Sequence, residues 1–372
     1  MVNTRLLLRN RLEGIGRFSF QTLKRITTAN KDVHFVFLFD RMFSEEFIFS
    51  DNITPLIISP QARHPFLYYI WFEYSVKSTL NRMKPDLFLS PDGFLSLGAK
   101  CKQLPVIHDI NFLHHPKDSK PLTAKYYNRF FPKFAAKATR IATVSEFSKK
   151  DISQNYKIDP AKIDVVYNGI NEEFEPIDDN QKTEIRKKFS GGKNYFLFVG
   201  SLHPRKNIPR LINAFELFKK ESGSDYKLLL AGPHFWGLSD IYKSMEGLAC
   251  KNDIIFTGRL NDKDLADVMA SAFALTFVPY YEGFGIPLVE AMACNIPTIA
   301  SNCTSMPEIV GDAALLVNPF EISEIKNAML KLYNNAAMRE QLVKKGTERK
   351  NNFSWDKSAE LLWKSVEMTM KS

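Results

Sequence analysis

Cysteine is scarce in this chain of 372 residues: the four present, Cys101, Cys250, Cys294 and Cys303, form no Cys-x-x-Cys. None pairs with a histidine at zinc-site spacing, so a disulfide scaffold and a zinc ribbon are excluded, and the four read as small reduced core residues. No apolar run approaches the roughly 20 residues that cross a bilayer. Residues 2–8 are already strand-like, so no secretory leader is expected ahead of the fold, and a cytoplasmic protein is the default. A recognisable nucleic-acid recognition motif is also lacking.

What is present is ordinary for a globular protein, with 45% hydrophobic and 24% charged residues. The length is too great for one typical core and points to two domains. A formal charge of +9 implies an anionic partner: nucleotide phosphate, nucleic acid or an acidic membrane surface, among which composition does not choose. Strand-like runs at 3–8, 33–39, 55–58, 87–90, 106–108, 141–144 and 163–167 alternate with helical stretches such as 65–83 and 121–140. The same alternation returns at 195–200, 227–231, 254–257, 273–278, 297–300 and 314–317. The fold class predicted is α/β, with two doubly wound, Rossmann-like domains.

The most informative stretch is Tyr281-Glu282-Gly283-Phe284-Gly285-Ile286-Pro287-Leu288-Val289-Glu290-Ala291-Met292-Ala293. It follows the apolar run 273–278 and reads as strand, glycine loop and helix. Gly283 and Gly285 let the backbone turn sharply and approach a ligand, and Pro287 suits the first turn of a helix. Free N–H groups at that helix start favour an anion such as a diphosphate. Glu282 and Glu290 border one pocket at the carboxyl end of the strand, where open α/β sheets bind ligands. As carboxylates they accept hydrogen bonds from hydroxyls, which fits the hydroxyl-rich parts of a nucleotide sugar. On the residues alone, an ordinary strand-to-helix junction with two solvated glutamates is the alternative.

Other candidates stand at comparable places. Arg205-Lys206 occupies the turn after the strand at 195–200, where mere surface charge is the competing explanation. His108-Asp109 ends the strand at 106–108. Gly14 and Gly16 follow the first strand, with a plain tight turn as the alternative. His114-His115 lacks a clear third ligand for a metal. Lys125, Arg129, Lys133 and Lys137 recur every four residues beside Tyr126, Tyr127, Phe130, Phe131 and Phe134, along a helix in which Pro132 is expected to kink the axis. That helix is either a core helix with a solvated basic side or a surface that docks on anionic membrane.

Two glutamates eight positions apart, enclosing Gly-Phe-Gly and Pro-Leu and followed by Ala-Met-Ala, resemble the Glu-x7-Glu element of the retaining glycosyltransferases of family 4, which have the two-domain GT-B fold. The resemblance implies that Glu290 binds the donor ribose and that Glu282 lies beside the donor sugar. It places Gly283, Phe284, Gly285 and Leu288 with them at the donor. It makes Arg205 and Lys206 the cations that hold the diphosphate, and Gly200 and Gly232 glycines of the cleft edge. Gly14 and Gly16 become a loop near the donor phosphates and the acceptor. His108 and Asp109 become residues facing the sugar and the acceptor. Val144-Ser145-Glu146-Phe147-Ser148, Asn168-Gly169, residues 301–308 and Gly311-Asp312 also match the family.

These likenesses imply domains at 1–175 and 176–354, with a helix at 355–372 crossing back to the first. They imply a retaining hexosyltransferase, leaning to GDP-mannose, acting on a saccharide or lipid-linked glycan; peripheral contact at the inner face of the membrane is the expectation that the basic helix at 121–140 adds. Many other glycosyltransferases use a metal on Asp-x-Asp. The one such triplet here, Asp262-Lys263-Asp264, opens a helix and is explained by capping, so no metal or other cofactor is expected. The rivals are a nucleotide-sugar epimerase of the same architecture and a basic nucleic-acid-binding protein.

Overall fold

The computed structural model describes residues 1–9, 12–233 and 238–372. The chain divides into two compact units, Met1–Gly169 with Ser354–Ser372, and Ile170–Phe353. The division thus falls between Gly169 and Ile170, where the sequence places it after residue 175.

Among the described residues the first unit builds a parallel sheet from β1 (Val2–Asn3), β2 (Phe35–Phe39), β3 (Ile53–Ile57), β4 (Leu87–Ser90) and β5 (Lys102–Pro105), in the order β3-β2-β1-β4-β5. A parallel pair, β6 (Ile141–Thr143) and β7 (Ile163–Val165), joins it through a bridge between Val106 and Ala142. Every residue of β2, Phe-Val-Phe-Leu-Phe, is buried, as a strand covered by helices on both faces requires. The terminal helix Trp355–Lys371 starts at Ser354, whose side chain accepts the Asp356 N–H. It packs on the helix Gly14–Ala29, with Trp355 edge-on to Phe18 at 6.3 Å. The Ser358 hydroxyl donates to the Tyr167 carbonyl. The C-terminal helix therefore belongs to the first unit.

In the second unit β8 (Tyr195–Val199), β9 (Lys227–Ala231), β10 (Ile254–Gly258), β11 (Ala274–Phe277), β12 (Thr298–Ser301) and β13 (Ala314–Val317) form a parallel sheet in the order β10-β9-β8-β11-β12-β13. The polar lead-in to this unit is largely helical. Asp178 caps Asp179–Ser190 by a reciprocal bond with Gln181, and Gly191 ends it in the left-handed region. In each sheet the winding direction reverses once, between β1 and β4 and between β8 and β11, and ligands of such sheets gather outside the carboxyl ends of those strands.

Local expectations fail where side chains with distant partners intervene. The strand predicted over 3–8 ends at Asn3, and the Leu7 N–H closes a turn onto the Thr4 carbonyl at 2.9 Å, which brings the Arg5 side chain inside. A strand was expected at 106–108, but the sheet takes Lys102–Pro105 instead. This strand looks too polar to be buried. Its Gln103 is nonetheless buried, donating to the Ser96 carbonyl at 2.8 Å and accepting the Ser96 N–H at 3.1 Å, which meets the rule that buried polar groups are paired. The helix predicted over 65–83 is one run with a π-helical middle, Trp71–Val76.

Candidate active site

The second sheet places three charged side chains at its reversal. After β8 the chain passes Gly200 and enters a short 3₁₀ turn, Pro204–Lys206. Asn207 then adopts a left-handed conformation, φ 65°. Its side-chain amide donates to the carbonyls of Val278, at 3.1 Å, and Pro319, at 2.6 Å. This ties the turn after β8 to the chain leaving β11, as does the bond from the Tyr280 N–H to the Arg205 carbonyl, 3.1 Å. Across that junction one oxygen of Glu282, Oε2, accepts from both Arg205 Nη1 and Lys206 Nζ. Arg205 Nη1 also donates to the Tyr281 carbonyl at 3.1 Å, and the Ser305 hydroxyl to the Glu282 carbonyl at 2.9 Å. The Lys206 ammonium lies 4.7 Å from the centre of the Phe277 ring.

The cluster is well shielded, with side-chain exposures of 18% for Arg205, 8% for Lys206 and 14% for Glu282. Burial pushes the Glu282 carboxyl up, but the charges and hydrogen bonds of Arg205 and Lys206 outweigh it and hold the group down at about 2. Glu282 is therefore ionised at neutral pH. In such shielded surroundings charge acts more strongly than in water.

Glycines surround this cluster. A Cβ on Gly232 would stand 2.0 Å from the Gly200 carbonyl oxygen, and Gly232 has φ 152°, so neither space nor backbone admits a side chain. Its N–H donates to the Gly258 carbonyl at 2.9 Å. The ends of β8, β9 and β10 thus close together through glycine. On the other side Gly285, φ 92°, opens the helix Ile286–Ala293 with Pro287 in the first turn; a Cβ on Gly285 would meet Met306 at 2.8 Å. Gly283 and buried Phe284 connect Glu282 to this helix, and Leu288 is fully enclosed. Glu290, on the second turn, is also buried. The alternative of two solvated glutamates is thereby corrected: apolar packing of this helix on both sides carries Glu290 inward.

In the first unit His108 Nε2 lies 2.9 Å from the Pro91 carbonyl. A carbonyl only accepts, so Nε2 carries the proton and Nδ1 is left as an acceptor. The ring meets Phe18 edge-on at 5.0 Å, and burial lowers its pKa, which favours the neutral form. Asp109 accepts the Asn111 N–H at 3.0 Å. Gly14 begins the helix Gly14–Ala29 with open space beside it, whereas a Cβ on Gly16 would come within 2.8 Å of the Leu6 carbonyl. Both glycines therefore sit in the first helical turn, and residues 10–11 lie outside those described.

Sequence reasoning missed the charge pair at the first sheet's reversal. Arg5, after β1, donates from Nε to Asp92, after β4, at 2.6 Å, and Asn3 donates to the same carboxylate at 2.7 Å. Arg5 lies 4.6 Å from the Phe94 ring centre and 5.0 Å from that of Tyr68. Nothing local marks Arg5, since its partner is far along the chain. Elsewhere His114 is held by Asp151 at 2.9 Å. Asn261 caps the helix Asp262–Ala270 by accepting the Asp264 N–H, and Asp264 pairs with Lys188 at 2.8 Å. Asp262 and Asp264 thus lie in the first helical turn, where acidic residues suit the dipole.

Two Rossmann-like units, the second carrying cations and a carboxylate at its sheet reversal, define an enzyme of the GT-B class. Comparison with known proteins agrees. The family model described as Glycosyltransferase Family 4 matches residues 12–174, and that described as Glycosyl transferases group 1 matches residues 179–349. The chain belongs to these glycosyltransferases. O-antigen chain mannosyltransferase B of Escherichia coli is 26% identical over 360 residues, 93% of either chain. The crystal structure of WaaG, a glycosyltransferase involved in lipopolysaccharide biosynthesis, superposes with a TM-score of 0.75 at 17% identity, over 97% of this chain and 98% of that one. Anabaena Alr3699/HepE in complex with UDP and glucose gives 0.74, also at 17% identity, over 98% of both.

Proposed function

We propose that this glycosyltransferase is retaining and metal-independent, and that it moves a mannosyl group from GDP-mannose to a saccharide or lipid-linked glycan. The observation that carries the chemistry is the convergence of Arg205 and Lys206 on Glu282 at the reversal between β8 and β11. A donor diphosphate competes with Glu282 for these two cations. As the bond between sugar carbon and phosphate oxygen breaks, the leaving group gains negative charge, and preorganised cations stabilise that change most. The acceptor hydroxyl attacks from the leaving-group face. Its oxygen forms the new bond to the sugar carbon, and its proton passes to the departing phosphate oxygen. Glu282, freed in part from its cations, positions the sugar, and Glu290 accepts hydrogen bonds from the ribose. The neutral His108 offers Nδ1 to a sugar hydroxyl, and Asp109 contacts the acceptor.

In this reading the protein cations do what a metal does elsewhere, so the nucleotide sugar is a co-substrate and no cofactor is required. The mannosyl donor and glycan acceptor are supported by the Escherichia coli relative named as an O-antigen chain mannosyltransferase. A nucleotide-sugar donor is supported by the HepE complex with UDP and glucose. We place the enzyme in the cytoplasm, at the inner face of the membrane. Purified protein tested for thermal stabilisation across nucleotide sugars should respond most to GDP-mannose, because a ligand that binds the native state raises the melting temperature by mass action. Product NMR should then show a retained anomeric configuration. Conversion of the donor without acceptor would turn the assignment to an epimerase, and an inverted product would overturn retention.

A further inference from the structure

We infer that the buried pair Arg5–Asp92 is the positioning device for His108: it holds in place the Pro91 carbonyl that decides which ring nitrogen carries the proton. This rests on the role proposed above for His108 and extends it to residues that act through the ring. Ser90 to Gly93 form a tight turn at the end of β4, closed by the Gly93 N–H on the Ser90 carbonyl at 3.2 Å. Pro91 and Asp92 are its two central residues, and the peptide between them can face either way, since the two common turn types differ by a flip of that peptide. The flipped form needs a left-handed residue at position 92, which aspartate tolerates, so the turn by itself does not settle the direction. In the orientation adopted, the Pro91 carbonyl lies 2.9 Å from His108 Nε2. The other would carry it away.

Four groups settle it through the Asp92 carboxylate. Oδ1 accepts from Asn3 Nδ2 at 2.7 Å, the Ser90 hydroxyl at 3.1 Å and the Phe94 N–H at 3.3 Å, and Oδ2 accepts from Arg5 Nε at 2.6 Å. Arg5 is anchored in turn, with Nη1 donating to the Ala62 carbonyl at 3.3 Å and the guanidinium packed against the rings of Tyr68, Phe72 and Phe94. Side-chain exposures are 8% for Arg5 and 4% for Asp92. A buried ion pair is often no more stabilising than apolar residues of the same volume, so stability alone does not account for this one. What it supplies is direction: a carboxylate held on both oxygens keeps the Pro91–Asp92 peptide from rotating. The histidine is braced as well, because the Ser148 hydroxyl donates to the His108 carbonyl at 3.1 Å and Phe18 meets the imidazole edge-on. With ring and carbonyl both fixed, the proton stays on Nε2 and Nδ1 stays an acceptor.

The test is Arg5→Met with Asp92→Leu, which removes both charges and strands neither in the core. Nitrogen NMR of histidine-labelled wild type should show a single His108 tautomer, protonated on Nε2, its signals assigned by their loss in His108→Ala. The double variant should show both tautomers. Its kcat should fall about tenfold to a hundredfold, the usual cost of removing a group that orients a functional histidine, with the donor KM little changed. In a His108→Ala background the same two substitutions should cost nothing further in kcat, because residues acting through one side chain are not additive. Asp92→Asn, which keeps Oδ1 for Asn3 and gives up the ion pair, should show the second tautomer in smaller proportion and covers the case in which the double variant does not fold. An unchanged single tautomer in either folded variant overturns the inference. So does an undiminished loss of kcat in the His108→Ala background, which would mean that the pair acts by another route. A second tautomer that appears with transfer unaffected supports the hold on the ring and removes His108 from the proposed reaction instead.

Discussion

Lys206→Ala tests the proposed chemistry most directly. In the wild type the Lys206 side chain is only 8% exposed, its ammonium held by Glu282 and lying over Phe277, so it needs little reorganisation when charge appears on a diphosphate. Losing one such preorganised group costs roughly 3 kcal/mol in the transition state, about a hundredfold in rate. Arg205 stays on the same Glu282 oxygen, so the carboxylate is not stranded and the fold should survive, which urea denaturation checks. The Glu282 carboxyl should rise from about 2, because one of its two cations is gone. Transfer is measured as kcat and KM for the donor. The deficit should shrink with a donor analogue whose leaving group is less basic, since less charge then develops. Near-normal rates in folded Lys206→Ala would remove this residue from the site, and an undiminished deficit with the analogue would show that it acts on something other than the leaving group.

Glu290→Gln should raise the donor KM, while Glu282→Gln should mainly lower kcat, because ribose contacts are alike in ground and transition states and sugar contacts need not be; equal effects on both constants in both variants would sink the division of roles. Activity should persist in chelator, and a loss restored by magnesium or manganese would refute metal independence. Gly232→Ala should destabilise the second unit by about 2–4 kcal/mol, since the added carbon meets the Gly200 carbonyl and the backbone is strained as well; an unchanged urea midpoint would contradict that packing. Glu282 has its pKa depressed in the folded state, so its stabilisation is present above the unfolded value near 4.5 and is lost as pH falls toward about 2. The stability difference between wild type and Glu282→Gln should therefore shrink by about 3 kcal/mol across that range, and parallel stability curves for the two proteins would rule out the depressed carboxyl.

The sequence alone determined what depends on neighbours along the chain. Gly285, Pro287 and the apolar face of 288–293 specify a helix start with few conformational alternatives. The triplet Asp262-Lys263-Asp264 marks a helix start that the structure forms, and the runs that became β4, β9 and β13 were bounded correctly because each reads as a short apolar block. Tertiary structure decided what depends on strand order. Arg205 and Glu282 are 77 residues apart, yet they meet because β8 and β11 are neighbours at the reversal. The same juxtaposition of β1 and β4 pairs Arg5 with Asp92 and ends β1 after Asn3. Gln103 sits in a buried strand because Ser96 satisfies it, and the basic helix gains a groove because Phe66 and Tyr69 face it from another segment. In each case the deciding energy is a pairing across distant segments. Such a pairing leaves no periodicity in the local sequence and exists only once the sheet has brought the partners together.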